Sequence, residues 1–305
     1  MPDLATAMSA AVNRSAARGQ GAMAVASFKL GEVTCQVRTP LEADRIARRW
    51  DPFRTQDPPQ LVANVFVDPT AAELAASATE RLVRASDERR FRSFWRNGHG
   101  FVMGQGMIGR FDLGSHTLDV AVYSSRHVPT AAIAIRFAVS FLVERAGGFL
   151  LHCSGVVHRR RALLFFGPSE SGKSTIAGLA RADHILSGEA VIVQKSDDQW
   201  TAYGTPFSPE LGGGANASAK VGAMIKLTKA RAGEAMDCRP ISGRRAAQDL
   251  LRCVIALDDA PRHKAGSAAH ALEAAEAVPL YELRFRPEPE VWPFLLEHVD
   301  GEVWC

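Results

Sequence analysis

The chain has 305 residues, 47% of them hydrophobic and 23% charged, so it can bury a substantial core in one large domain or two smaller ones. Its 36 basic residues nearly balance its 33 acidic ones, which argues against nucleic acid or an anionic membrane as a partner. Five widely spaced cysteines without a C-x-x-C pair predict reduced thiols and a cytoplasmic location. No apolar window approaches the length of a membrane span, so no membrane segment is expected.

The first part of the chain predicts a small β-rich α+β module behind a disordered tail. Residues 1–23 mix Ala, Ser, Arg and Asn without an apolar core, which indicates a disordered start and not a secretory signal. Residues 24–127 form the module, with a hairpin over 24–38 that turns near Gly31 and a helix over 70–85. This module carries no chemical motif.

Residues 128–305 predict a larger α/β domain, in which strands and helices alternate along the chain. It begins with an apolar helix that two glycines end. The predicted elements are a helix over Ala131–Arg145, facing strands over Phe149–His152 and Gly155–His158, a strand over Ala162–Phe166, a hairpin of Ile185–Val193 and Gln199–Tyr203, a strand over Val221–Leu227, helices over Ser242–Leu257 and Ala265–Ala277, and a strand over Leu280–Phe285.

The strongest chemical signal is a glycine loop of residues 167–175, named the P-loop, which lies between the strand Ala162–Phe166 and a helical pattern. It fits G-x-x-x-x-G-K-[ST], and its glycines let the backbone curl so that successive N–H groups face an anion. Lys173 would reach the terminal phosphates, and the Ser174 hydroxyl would hold a magnesium ion. The loop therefore predicts that the protein binds ATP with Mg²⁺. Its nucleotide-binding residues are Gly167, Pro168, Ser169, Glu170, Ser171, Gly172, Lys173, Ser174 and Thr175.

The sequence of this loop is close to that of transport ATPases, which makes a transport ATPase an alternative. Leu186–Glu189 imitates the start of a transporter signature, but it follows the loop too closely to be that signature. Leu250–Asp259 looks like an apolar run that ends in acid. Its apolar residues and Ala246 fit one face of an amphipathic helix better, so a transport ATPase is disfavoured.

A more extensive resemblance covers residues 130–292. The chain resembles the HPr kinase/phosphorylase group, and especially the HPr kinase-like proteins encoded beside peptide-modification genes. The matching segments are Gly148–Val157, Ala162–Thr175, Ile185–Val193, Tyr203–Phe207 and Val278–Pro287. The resemblance implies an α/β fold with a P-loop kinase core of the HPr kinase/phosphoenolpyruvate carboxykinase type, next to a smaller β-rich α+β N-terminal module.

One departure from that family concerns the acidic residues. Relatives carry an Asp-Asp pair after the strand that follows the P-loop helix, and the family assigns magnesium binding and proton abstraction to this pair. Here the aligned residues are Gly188 and Glu189, so one carboxylate remains. The resemblance implies that Glu189 is the catalytic base and, with Ser174, a magnesium ligand. It also implies that His152 lies at the edge of the site; the alternative is a strand-end histidine bonded to the backbone.

Together these features predict an ATP-dependent kinase that transfers the γ-phosphoryl group to a hydroxyl, with Lys173, Glu189 and His152 as its catalytic residues. The expected acceptor is a serine of a peptide or small protein, and a small metabolite is the alternative. A second hypothesis is a nucleotide-dependent regulatory protein with weak or no transfer, which the missing second acid favours. Family resemblance also suggests self-association.

Four other groups of residues have two interpretations each. Arg159–Arg161 contact phosphate or form a solvated turn, and Asp197 with Asp198 form a metal pair or a hairpin tip; the turn is the stronger explanation for both. Glu210 is expected either to face the metal or to lie in a solvated loop. The loop of Gly212–Gly214 is expected either to close over the substrate or to form a flexible connection between strands.

Overall fold

The computed structural model describes residues 4–18, 22–40, 45–70, 91–104, 106–207, 214–231, 233–256 and 260–299. The protein is a mixed α/β structure that divides into two compact units. The first is built mainly from Val33–Leu142 and the second mainly from Val143–Ile255. The limits 24–127 and 128–305 expected from the sequence stay a prediction.

The first unit contains one sheet whose strands run in the order β1-β2-β3-β7-β6-β5-β4. These strands are β1 (Met23–Leu30), β2 (Val33–Pro40), β3 (Leu61–Val67), β4 (Phe91–Arg96), β5 (His99–Gly104), β6 (Met107–Asp112) and β7 (Thr117–Val122). Strands β2, β3 and β7 pair in parallel, and β4 to β7 form an antiparallel meander. The predicted turn at Gly31 is confirmed, with a φ of 61° that favours glycine. The helix predicted over 70–85 lies outside the described residues apart from its first position.

The start of the chain differs from the expected disordered tail. Helix α1 (Leu4–Arg18) occupies most of it, and a short helix α2 (Arg45–Arg49) follows β2. The side chains of Met8 and Val12 on α1 are fully buried, in one cluster with Phe101 on β5. Composition missed this helix because most of its apolar residues are alanines, but its buried residues are spaced so that they fall on one face.

The expectation that no apolar stretch reaches the length of a membrane span needs a correction. Helix α3 (Ala131–Arg145) has the predicted bounds, and the helical stretch Ser125–Arg145 is long and apolar enough to cross a membrane. However, 67% of its most apolar window is buried inside the protein. This degree of burial is that of a core helix.

The second unit contains the larger sheet, in the order β11-β9-β10-β14-β13-β12-β8, with β16 beside the second half of β14 and β15 beside β16. Its strands are β8 (Gly148–Leu151), β9 (Cys153–His158), β10 (Arg161–Phe166), β11 (His184–Ser187), β12 (Val191–Ser196), β13 (Gln199–Tyr203), β14 (Ser218–Lys229), β15 (Asp237–Pro240) and β16 (Leu280–Phe285). Its helices are α4 (Lys173–Leu179), α5 (Gly243–Leu251), α6 (Pro261–Ala277) and α7 (Val291–His298), and α6, like α3, contributes residues to both units.

Strand β10 lies in the middle of this sheet and is covered on both faces. Leu164 and Phe166 pack into one hydrophobic cluster with residues of α5 and α6. Leu163 and Phe165 point to the other face, into a cluster with residues of α4 and α7. Because successive side chains of a strand alternate between faces, burial on both sides requires the continuous apolar run that the sequence has here.

The strands before the P-loop pair differently from the expected facing pair. Strand β8 pairs with β12, and β9 pairs with β10 and β11. Only His152 separates β8 from β9, and one residue is too short to turn a chain back on itself. The hairpin next to the P-loop is therefore β9–β10. Its two turn residues, Arg159 and Arg160, have φ values of 47° and 64°.

Two further expected elements are interrupted. The strand expected over Ile185–Val193 is divided between β11 and β12, which are far apart in the strand order and are joined by residues 188–190. The helix expected over Ser242–Leu257 ends at Leu251, and Val254 then pairs with Leu151 as an isolated bridge. The first interruption creates the loop that carries Glu189.

Candidate functional site

The direction of the strands brings the candidate residues to one edge of the second unit's sheet. Strand β14 is parallel to β10, and β11 is antiparallel to β9, which is itself antiparallel to β10. The carboxyl ends of β10, β11 and β14 therefore meet at the same edge as the amino end of β9. The P-loop, Glu189 and His152 follow or precede these ends. Their proximity results from the topology and not from closeness in sequence.

The P-loop backbone needs glycine at two places. Gly167 and Gly172 have φ values of 152° and 95°, in the region that side chains disfavour. A Cβ atom on Gly172 would lie 2.7 Å from Cζ of Phe285, and one on Gly167 would lie 3.2 Å from the Leu227 carbonyl oxygen. The motif glycines are thus required by backbone conformation and by close packing against β14 and β16.

Lys173 begins helix α4, and its side chain is buried against the loop. Its ammonium donates hydrogen bonds to the carbonyl oxygens of Gly167, at 3.0 Å, and Pro168, at 2.9 Å. An ammonium has three donors, so these contacts leave one for an oxygen ligand in the cavity. Burial lowers the pKa of Lys173, and the negative charge of Glu189 opposes that shift. These two residues are therefore electrostatic neighbours.

The loop that carries Glu189 is held by three fully buried hydroxyl groups. The Ser154 hydroxyl donates to the Gly188 carbonyl oxygen at 3.2 Å, and the Thr205 hydroxyl donates to the Ala190 carbonyl oxygen. The Ser187 hydroxyl accepts hydrogen bonds from the backbone N–H groups of residues 189 and 190, at 3.3 and 3.2 Å. Glu189 itself is half-buried. Because of these hydrogen bonds, the backbone that carries its carboxylate has fixed partners.

His152 is tied to the same loop. Its Nδ1 lies 2.9 Å from the Glu189 carbonyl oxygen, and because a carbonyl can only accept, Nδ1 carries the proton. Its backbone N–H donates to the Cys253 carbonyl oxygen at 2.7 Å. The Cys253 thiol in turn lies 3.7 Å from the carbonyl oxygen of Gly167, the first residue of the P-loop. His152 thus bonds to the backbone, as one interpretation expected, and it also lines the cavity, as the other requires.

One cavity of about 510 Å³ contains most of these groups. Its lining residues are all polar, charged or glycine, as suits a polyphosphate. They are His152, Ser169, Glu170, Gly172, Lys173, Ser174, Thr175, Gly188, Glu189 and Lys229. The predicted loop residues Gly167, Pro168 and Ser171 do not line it; among the described residues the buried Ser171 hydroxyl has no hydrogen-bond partner.

The residues present fit a magnesium ion. The Ser174 hydroxyl and the Glu189 carboxylate line the same cavity, and both are the hard oxygen donors that Mg²⁺ prefers. Within the described part of the chain, no group of three His, Cys, Asp or Glu side chains forms a metal cage. That is compatible with magnesium, which is usually held by one or two carboxylates together with substrate phosphates.

Several other predicted groups do not belong to this site. Arg159–Arg161 lie at the end of β10 away from the P-loop, so they cannot contact a phosphate bound there. Asp197 and Asp198 form the tip of the β12–β13 hairpin with φ values of 49° and 59°, which confirms the turn interpretation. Glu210 and the glycines at 212 and 213 lie outside the described residues.

Three features of the site were not predicted from the sequence. Lys229 lines the cavity from the end of β14, and Cys253 links α5 to the P-loop. The hydroxyl of Thr205, within the Tyr203–Phe207 segment, holds the loop that carries Glu189. The match of that segment to a family motif was the one available signal, because the other contacts join residues far apart in sequence.

No protein-family model matches this chain, and no curated protein matches it.

Proposed function

We propose that the protein is an ATP-dependent kinase that transfers the γ-phosphoryl group to a hydroxyl, most simply a serine of a peptide or small protein. One observation carries the proposal: a P-loop with its lysine shares a single cavity with the Glu189 carboxylate and His152. The P-loop is a phosphate cradle, and phosphoryl transfer needs little beyond positioning and charge stabilisation. The P-loop kinase core of the HPr kinase type belongs to the same proposal.

In the proposed reaction, the acceptor hydroxyl oxygen forms a bond to the γ-phosphorus. The bond from that phosphorus to the β–γ bridging oxygen breaks, and its electron pair stays on the departing ADP. The hydroxyl proton passes to the Glu189 carboxylate. Lys173 and the loop N–H groups stabilise the charge on the phosphates, and His152 orients the acceptor.

Ser174 and Glu189 would hold the magnesium ion, which when bound neutralises phosphate charge and orients the oxygens of the triphosphate. Of this chain's own residues, Glu189 would then serve both the metal and the acceptor. The hydroxyl groups of Ser154, Ser187 and Thr205 keep its backbone in place for either role.

The test is phosphotransfer by the full chain, with Mg²⁺, γ-labelled ATP and short serine-containing peptides encoded beside its gene. We expect Lys173→Ala to lose nucleotide binding and transfer. Glu189→Gln should lower the transfer rate by about 10²- to 10⁴-fold, the usual contribution of a general base, and keep most of the affinity for ATP. Transfer is measured by label on the peptide, and binding by calorimetry.

Equal transfer by the wild type and Lys173→Ala would contradict the proposal. The nucleotide-dependent regulatory protein is the competing hypothesis, and the single carboxylate favours it. It predicts that ATP strengthens binding to a partner peptide while no phosphopeptide forms, and that Glu189→Gln leaves this strengthening intact.

A further inference from the structure

The cavity has a second lysine that lies outside the P-loop motif. Lys229 is the last residue of β14, the parallel neighbour of the P-loop strand. Phe166 at the end of β10 pairs with Lys226, so Lys229 lies three residues beyond the end of β10. The two strands are parallel, and this extension carries the exposed Lys229 side chain to the P-loop edge of the sheet.

The backbone of Lys229 is fixed by the packing of the P-loop itself. Lys229 pairs with Phe285 on β16, and the N–H of Ala230 donates to the Phe285 carbonyl oxygen at 2.9 Å. The Phe285 ring lies directly behind Gly172, where it leaves no room for a Cβ atom. The main chain at Lys229 and the P-loop therefore contact the same residue, Phe285, which places the end of β14 beside the loop.

Charge is distributed unevenly on the two sides of the P-loop strand. The sheet order β11-β9-β10-β14 puts Glu189, after β11, on one side of β10 and Lys229, after β14, on the other. The acid side suits a metal ion and an acceptor hydroxyl. The basic side suits phosphate oxygens that neither the metal nor the buried Lys173 neutralises.

We propose that Lys229 is a second phosphate-binding residue, which contacts the terminal phosphate of a bound nucleoside triphosphate. This inference rests on the proposed function. The P-loop N–H groups surround the inner phosphates and Lys173 reaches the terminal ones. A second cation, from a neighbouring strand, completes the charge around the phosphoryl group that is transferred. A long ammonium side chain on a fixed strand end can follow that group as it moves toward the acceptor.

The test compares binding of Mg·ATP and Mg·ADP to the full chain by titration calorimetry. Lys229→Met removes the charge at an exposed position and keeps the length of the side chain, so the fold should persist. A hydrogen bond to a charged group predicts about 10- to 100-fold weaker binding of Mg·ATP, with Mg·ADP changed much less. Lys229→Arg should retain most of the affinity for ATP because guanidinium also donates to phosphate.

The matched control is Lys220→Met, because Lys220 is an exposed lysine near the other end of the same strand. It should bind both nucleotides like the wild type. Unchanged binding of Mg·ATP by Lys229→Met, or an equal loss for ATP and ADP, would overturn the terminal-phosphate contact and leave the proposed function standing. A wild-type protein that binds neither nucleotide would overturn both.

Discussion

At the scale of single residues, the site depends on where the chain has room for a side chain. Two glycines of the same segment make the contrast. Gly172 has a φ of 95° and lies against the Phe285 ring, whereas no atom of the described residues lies within 4 Å of a Cβ atom on Gly178 in helix α4. The first glycine is required by its surroundings, and the second costs the helix conformational entropy without any benefit from packing.

Gly172→Ala should therefore weaken the protein and its nucleotide site together. The added methyl group would press on Phe285 at 2.7 Å in a strained backbone conformation, which we expect to cost about 1–3 kcal/mol of the free energy of unfolding. Urea unfolding and calorimetry with Mg·ATP measure the two effects.

Gly178→Ala, at an exposed position in helix α4, is the control for that substitution. It should raise the free energy of unfolding by about 0.5–1 kcal/mol, because alanine favours a helix over glycine. Its nucleotide binding should stay at the wild-type level. A Gly172→Ala protein as stable as the wild type would contradict the packing argument.

At the scale of elements, the break between β11 and β12 matters most. A single strand over Ile185–Val193 would have placed Glu189 within a sheet, with its side chain on one face. The chain instead leaves the sheet at Ser187 and re-enters it at Val191, in a strand far from β11 in the strand order. The three buried hydroxyl groups replace the strand hydrogen bonds that this loop lacks.

Thr205→Val tests whether these hydroxyl groups position Glu189. Valine keeps the shape of threonine but removes the hydrogen bond to the Ala190 carbonyl oxygen, which we expect to cost about 1–3 kcal/mol of stability. If the loop then loosens, the transfer rate should fall about tenfold or more while the affinity for Mg·ATP changes little.

Thr205→Ser distinguishes positioning from general destabilisation. Serine keeps the hydroxyl and loses a buried methyl group, so it should restore the transfer rate while it remains less stable than the wild type. The positioning role is wrong if the valine and serine variants transfer phosphate equally well.

At the scale of the whole molecule, a buried histidine couples stability to pH. His263 on α6 is 4% exposed and stacks on Phe141 of α3 with ring centroids 3.9 Å apart. Its Nε2 lies 3.1 Å from the Ser140 hydroxyl. Burial lowers the pKa of His263 from 6.5 to about 4, because the charged ring would lose its hydration.

The free energy of unfolding should therefore decrease as the pH falls from about 6.5 toward 4. In this range the unfolded chain binds a proton at His263 that the folded protein does not bind, which favours unfolding by up to roughly 3 kcal/mol. Urea unfolding at pH 7 and pH 4.5 measures the difference. His263→Gln should reduce the pH dependence, and the exposed His184→Gln should not.

Much of the local structure could be predicted from the sequence. Strand β10, the P-loop and the start of α4 follow from an apolar run, glycines at fixed places and a helical pattern, all within a few residues of one another. Pairing was predicted less well. The facing strands before the P-loop and the single strand over Ile185–Val193 were wrong, because propensity does not say which distant strand completes a hydrogen-bond ladder. The kinase activity and its family remain predictions.

The sequence by itself determined the glycine loop of residues 167–175, since its geometry depends on local backbone freedom and on residues adjacent in the chain. Only the tertiary structure decided what surrounds it. Glu189, His152 and Lys229 meet there because four strands end or begin at one edge of a sheet, and Thr205, 15 residues after Ala190, holds the acidic loop. These contacts depend on strand order and direction, which the whole fold sets through burial of both faces of the sheet.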